Sequence, residues 1–182
     1  MGGILAPQPG SSAPMFVVSA KQDPIGAPLQ RIQIVKGWLE GGEYQVKVHE
    51  VDGDPNNGAS VDLDTCTPQG EGFGDLCKVW QDPDFDPTER AYYYARVVEN
   101  PTCRWTTHQC VEKNYDCDNP SRDIDMDCCD PTAGLNVDWC DSIDCSNPNS
   151  LPPADARCCL PRVEPAIQER AWTSPIWYQP PT

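Results

Sequence analysis

Apolar and polar residues alternate with a period of two along several stretches of the chain, and almost none of it keeps a helical period over a useful length. Leu29 to Leu39 places Ile32 and Ile34 on one face before Gly37 interrupts the alternation, and Tyr44, Val46 and Val48 then alternate with Gln45, Lys47 and His49. Glu40-Gly41-Gly42 separates the two runs. They predict a β-hairpin with its apolar face buried and its polar face, which carries His49, in water. Ala91 to Glu99 predicts a further strand, with Tyr92, Tyr94 and Val98 on one side and Tyr93 and Val97 on the other. Met15 to Ala20 is a short β-branched run that ends in turn-forming residues, and Asp82-Pro-Asp-Phe-Asp-Pro87 reads as a rigid turn. Near the end, Pro165 to Arg170 suits one helical turn, and Trp172 to Tyr178 suits a last strand that Pro175 confines to an edge or a bulge. Five or six short strands with long loops predict an all-β fold, an antiparallel immunoglobulin-like sandwich. Six Trp residues (38, 80, 105, 139, 172 and 177) are expected to help fill its core.

The alternation disappears between the later strands. Nine of the eleven cysteines fall from Cys103 to Cys159, and ten acidic against two basic residues lie between Glu112 and Asp144. The chain therefore divides into an extended N-terminal segment (1–14), a β framework (15–102 and 162–178) and a long, mostly irregular, cysteine-rich acidic insert (103–161). The insert repeats itself. Asp116-Cys-Asp-Asn-Pro120 followed by Cys128-Cys129 is echoed by Asp144-Cys-Ser-Asn-Pro148 followed by Cys158-Cys159, giving units at about 110–131 and 140–161.

With a net charge of −15 over 182 residues, the chain repels phosphate backbones and anionic lipid, so nucleic acid is excluded as a partner and cations are the attracted species. No apolar run is long enough to predict membrane insertion. The 20 Pro and 13 Gly exclude a mostly helical bundle. So low an apolar content with so high a charge would ordinarily leave a chain unfolded, and the cysteines resolve the conflict if they form disulfides that substitute for a large core. Each repeat unit then holds two bridges, from Cys110, Cys117, Cys128 and Cys129 in the first and Cys140, Cys145, Cys158 and Cys159 in the second. Cys66 and Cys77 are expected to form a local pair in the framework, and Cys103 is left over. Zinc is disfavoured because no C-x₂-C pair is present. The implied compartment is periplasmic or extracellular. As the start at Met1 lacks an export signal, the chain reads as the C-terminal piece of a longer exported precursor or as a chain with an artificial start.

Two acidic segments are candidates for calcium. Asp52-Gly-Asp54-Pro-Asn56 opens like an EF-hand loop but has Asn57 where Gly is needed and Leu63 where the bidentate Glu belongs, so an Asx-rich turn is the competing reading. Asp116, Asp118, Asp123, Asp125 and Asp127 crowd one crosslinked loop, where an ion would relieve their repulsion. Calcium is the only cofactor these residues suggest. Catalytic candidates are scarce: His49 and His108 stand in no H-x-H or H-E-x-x-H pattern, and both read as surface or turn residues. Tyr92, Tyr94 and nearby Trp residues offer a sugar-stacking platform, against which stands the commoner role of strand aromatics as core.

Several segments in fixed order carry a resemblance: Pro28–Trp38 (PLQRIQIVKGW), Asn57–Asp62 (NGASVD) with Cys66 and Cys77, Trp80–Pro87 (WQDPDFDP), Arg90–Val97 (RAYYYARV), Pro101–Trp105 (PTCRW) and Ile167–Tyr178 (IQERAWTSPIWY). Together they resemble the C-terminal portion of the bacterial "domain of unknown function 3604" family. The resemblance implies a longer protein in which a metal-binding barrel with H-x-H ligands precedes a C-terminal β domain. No such histidine motif occurs here, so no metal ligand transfers to this chain. The expected role is that of a non-catalytic C-terminal β module of an exported metal-dependent hydrolase, giving structural support or gating substrate, with the upstream domain as partner. The alternative is a calcium-dependent interaction or self-assembly subunit, with other copies of the chain as partners.

Overall fold

The computed structural model describes residues 2–5, 12–113, 143–144, 146–152, 155 and 164–180. Half a dozen strands form one sheet in the order β1 (Gly3–Leu5), β12 (Ile176–Tyr178), β8 (Ala91–Glu99), β3 (Leu29–Glu40) and β4 (Glu43–Gly53), with β11 (Arg170–Trp172) also paired to β8. All neighbours are antiparallel except β1 and β12. The predicted hairpin is present. Gly41 and Gly42 have φ of 61° and 87°, the left-handed pair that a tight turn between twisted strands needs, and Glu40 faces Glu43 across it. Pro175 breaks the last predicted strand in two, and both pieces, β11 and β12, pair with β8.

A two-stranded ribbon covers one face of this sheet. It consists of β2 (Met15–Lys21) and β7 (Asp75–Gln81), paired over their full length from Met15–Gln81 to Lys21–Asp75. Phe16 from the ribbon packs with Ile34, Ala91, Tyr93 and Tyr178 of the sheet, and Leu76 packs with Leu29 and Ile32. Each large apolar side chain withdrawn from water here contributes about 1.5–3 kcal/mol. The fold class is therefore all-β and antiparallel, as the alternation predicts. Two compact units make up the chain: residues 1–60, 69–101 and 168–182, which hold the sheet and ribbon, and residues 61–68 and 102–167.

Several expectations are corrected. The hairpin faces the other way: Tyr44, Val46 and Val48 are 58%, 50% and 43% exposed on the outer face of the sheet, whereas Gln45 and His49 are half-buried towards the ribbon. Their placement follows from the register, which sets His49 beside the inward Ile34 and Val48 beside Val35. The tryptophans do not all fill the core. Trp38 and Trp80 pack against it, Trp105, Trp172 and Trp177 are exposed, and Trp139 lies outside the described residues. Within the extended N-terminal segment, β1 adds to the sheet edge through β12. Pro165 to Arg170 forms no helical turn. Ala166–Ile167 is a strand, β10, that pairs with β9 (Thr102–Cys103), while the Pro165 carbonyl accepts from Arg104 N (2.8 Å) and Thr107 Oγ1 (2.8 Å). The insert begins with a helix, α1 (Trp105–Lys113), whose last-turn Lys113 complements the helix dipole.

The framework cysteine pairing is corrected as well. In the second unit a disulfide joins Cys66 to Cys103, the residue expected to be left over, and Cys77 is free and exposed on β7. Cys110 lies in α1, and Cys117, Cys128, Cys129, Cys140, Cys145, Cys158 and Cys159 lie outside the described residues.

Candidate functional site

The residues that converge are not those the acidic patterns single out. Along β3 the inward positions run Ile32, Ile34, Lys36 and Trp38, so a charged side chain occupies a core position, 2% exposed. A buried ammonium must be paired or it loses its charge. Its partner comes from the turn after β7, where Asp82 folds back so that its Oδ1 accepts from Asp84 N at 2.9 Å. Lys36 Nζ then lies 2.7 Å from Asp82 Oδ2 and donates to the Asp84 carbonyl at 2.7 Å. Tyr93 of β8 donates its hydroxyl to the same Asp82 Oδ2 at 2.7 Å. The ammonium also sits 5.2 Å from the Trp38 ring and 5.9 Å from that of Tyr93, close enough for cation–π attraction. Further along the turn, Phe85 packs edge-on against Tyr178, whose hydroxyl donates to the Pro87 carbonyl. The whole segment is thereby fixed over the end of the core.

His49 and Lys47, adjacent inward positions on β4, complete the group. Lys47 Nζ pairs with Asp84 Oδ2 at 2.5 Å and holds that carboxyl below its ordinary range. The His49 ring stands 5.0 Å from Trp80, and its Nε2 is buried without a hydrogen-bond partner. Burial lowers the His49 pKa, with Lys47 and Lys36 adding to the effect and Asp82 and Asp84 opposing it. Burial, then the bond to Asp82, raises that of Tyr93.

Among the described residues, His49, Asp82 and Asp84 are the group whose potential metal-ligating atoms all lie within 4.8 Å of one another. The donor set does not fit an ion. Both oxygens of Asp82 are engaged, by Lys36, Tyr93 and Asp84 N, and Asp84 Oδ2 is engaged by Lys47, so a cation would have to displace two ammoniums from the space it enters. Two lysines and two aspartates here neutralise one another and pin a turn to the sheet.

The unfolded chain keeps His49 at its ordinary value of 6.5, whereas the folded chain holds it lower. The unfolded state therefore takes up the proton first as pH falls, so stability is fully present above about pH 6.5 and declines below it. Thermal unfolding followed between about pH 7 and 5 should show this decline, and His49→Phe should flatten it. An unchanged slope in the variant would assign the effect elsewhere.

The candidate calcium residues are placed differently. Asp52 is on β4 and its Oδ2 accepts from Cys77 N at 3.1 Å; Asp54 Oδ1 accepts from Asn56 N at 2.8 Å, which makes the segment an Asx turn. Both carboxylates thus serve the backbone. The neighbouring Asn57 anchors the same loop, donating to the Glu71 carbonyl and to Asn100 Oδ1 at 2.9 Å each. Asp116, Asp118, Asp123, Asp125 and Asp127 lie outside the described residues, and His108 is in α1.

Tyr92 and Tyr94 are separated from the core residue Tyr93 by the strand alternation and lie on the outer face of the sheet. Tyr92 leans across β3 at Gly37, where a Cβ would meet its ring at 2.4 Å, and its hydroxyl bonds that of Tyr44 on β4. The three tyrosine rings run nearly parallel, with 14° between Tyr44 and Tyr92 and 8° between Tyr92 and Tyr94, and Trp177 packs at 5.2 Å from Tyr92. Burial and the Tyr44 hydroxyl push the Tyr92 phenol up to about 12.

A domain of this kind, an antiparallel β framework with a locked polar turn on its inner side and an aromatic outer face, is defined by structure before it is defined by kinship. Its kinship is given by the family described as "protein of unknown function (DUF3604)", whose model matches residues 1–126; the chain belongs to that family. No curated protein and no solved structure matches it.

Proposed function

We propose that this chain is a non-catalytic β module of a longer, exported metal-dependent hydrolase, and that it supports that protein structurally or gates access of substrate to it. The observation that carries this reading is the lysine-filled state of the His49–Asp82–Asp84 group. A general acid or base must reach a substrate proton and a metal ion needs ligands it can approach, yet Asp82 is buried beneath Lys36 and Tyr93, and the half-exposed Asp84 and the unpartnered His49 Nε2 stand beside Lys47 and Lys36, whose ammoniums repel a cation. Placement in the periplasm or outside the cell is part of the proposal, supported by the Cys66–Cys103 bridge. Among the described residues no helix is long and apolar enough to cross a membrane.

The test is an assay of the isolated chain with zinc, manganese or magnesium on p-nitrophenyl phosphate and bis-p-nitrophenyl phosphate. Turnover at the level of buffer is the expected result. Metal-dependent hydrolysis that His49→Ala abolishes would overturn the reading.

A further inference from the structure

The outer face of the sheet carries features that packing alone does not require. At the end of β3, beside the tyrosine row, lies a groove of about 410 Å³ lined by Gly37, Tyr44, Arg90, Tyr92, Trp177 and Gln179. That volume falls within the range of about 300–1,000 Å³ typical of small-molecule sites. Three of its walls are aromatic rings, and two of these, Tyr44 and Trp177, are 58% and 49% exposed. The absence of a side chain at Gly37 is what allows Tyr92 to lie across the strand and form the wall between them. Arg90 and Gln179 add exposed donors, and Gln179 an acceptor, at the rim, with the tyrosine hydroxyls beside them.

We infer that this groove binds a neutral oligosaccharide, with Tyr44, Tyr92 and Trp177 stacking on the C–H faces of the sugar rings and Arg90 and Gln179 bonding their hydroxyls. A pyranose ring offers one apolar face and a girdle of hydroxyls, which is the pairing of surfaces this groove presents. Charge selects among glycans. Glu40 and Glu43 flank the hairpin turn next to Leu39 and Tyr44, and Glu89 precedes Arg90, so the carboxylates around the rim disfavour a polyanion and leave an uncharged chain unaffected. Tyr44 and Tyr92 are fixed by their mutual hydroxyl bond, so the site is formed before the ligand arrives. The inference deepens the gating role proposed above by naming the class of substrate, and it rests on that reading only for its purpose.

Intrinsic fluorescence and amide chemical shifts of the whole chain, titrated with cellohexaose, xylohexaose, mannohexaose and chitohexaose, test it. Saturable binding of at least one of these at millimolar concentrations or below is expected, weakened about tenfold or more by Trp177→Ala and by Tyr44→Ala, and unchanged by Trp172→Ala, an exposed tryptophan outside the groove. Hexagalacturonate should bind none of the variants. Failure of all four neutral hexamers to bind, equal binding by Trp177→Ala, or preference for the acidic hexamer would each overturn the site. Such a failure is distinct from hydrolysis of the phosphate esters, which would overturn the module reading and leave the groove as it is.

Discussion

Replacing Lys36 with Met should destabilise the β framework by about 3–5 kcal/mol, the cost of leaving a buried charge without its partner. The Asp82 carboxylate is fully buried, and after the substitution it would keep only Tyr93 Oη and Asp84 N as donors. Asp82→Asn should cost a comparable amount for the mirror reason: Lys36 would retain the Asp84 carbonyl and two aromatic rings but lose the buried carboxylate in direct contact with it. The double variant Lys36→Met, Asp82→Asn should lose clearly less than the two single losses together, because no charge is then stranded and Asn can still accept from Asp84 N. Urea unfolding of the four proteins measures this cycle. Single variants within about 1 kcal/mol of the parent would show that the pair is not buried in solution, since exposed pairs contribute no more than that. The same measurement bears on function, because a carboxylate free enough to do chemistry is one whose lysine can be removed at little cost.

The pair was legible in principle. A lysine in phase with Ile32, Ile34 and Trp38 has to find an anion, and Asp82-Pro-Asp84 is a short rigid segment well able to supply one. Reading Gly37 as a simple interruption of the alternation obscured the phase. Strand existence survives such errors: β3, β4 and β8 lie where the period of two predicts them. Facing does not. On β3 both Ile34 and Val35 are buried, so the strand has no wet side from which to orient its partner, and hydrophobicity alone assigned the Tyr44, Val46 and Val48 face of β4 to the core. What reverses it is the polar network, which needs Lys47 and His49 on the inner side.

Other elements were hidden for different reasons. β7 (Asp75–Gln81) puts Leu76, Lys78 and Trp80 on one face and Asp75, Cys77, Val79 and Gln81 on the other, a mixture too polar on both sides to read as a strand until β2 pairs with it. β10 is two residues long, and only its pairing with β9 gives Ala166 and Ile167 an extended form. The tyrosine row was visible in sequence as a choice between core and platform, and the alternation divides the choice, sending Tyr93 inward and Tyr92 and Tyr94 outward. A convergence of side chains from three strands and a turn depends on register, which the local pattern does not contain.

Replacing Cys103 with Ser should lower the stability of the second unit by about 2–4 kcal/mol, the usual effect of opening a bridge across a loop of this size. The bridge spans 37 positions and ties the loop after β5 (Ser60–Asp62) to β9. Proximity in sequence favoured Cys77 as the partner of Cys66, but Cys77 sits on β7 with its side chain in water and its backbone N–H on Asp52. Cys66 itself has a φ of 52°, a conformation that costs a residue with a Cβ about 1–2 kcal/mol and is held by the bridge together with Asp62 Oδ1, which accepts from Asp64 N and Thr65 N. It follows that Cys66→Gly, which opens the same bridge but relieves the backbone, should be the milder of the two substitutions by about 1 kcal/mol. Proteolytic mapping of the unreduced protein should recover the Cys66 and Cys103 peptides as one species, and alkylation of the native protein should label Cys77. A Cys66–Cys77 peptide, or equal losses from the two variants, would show that the loop after β5 takes its shape from its own residues and not from the Cys66–Cys103 crosslink.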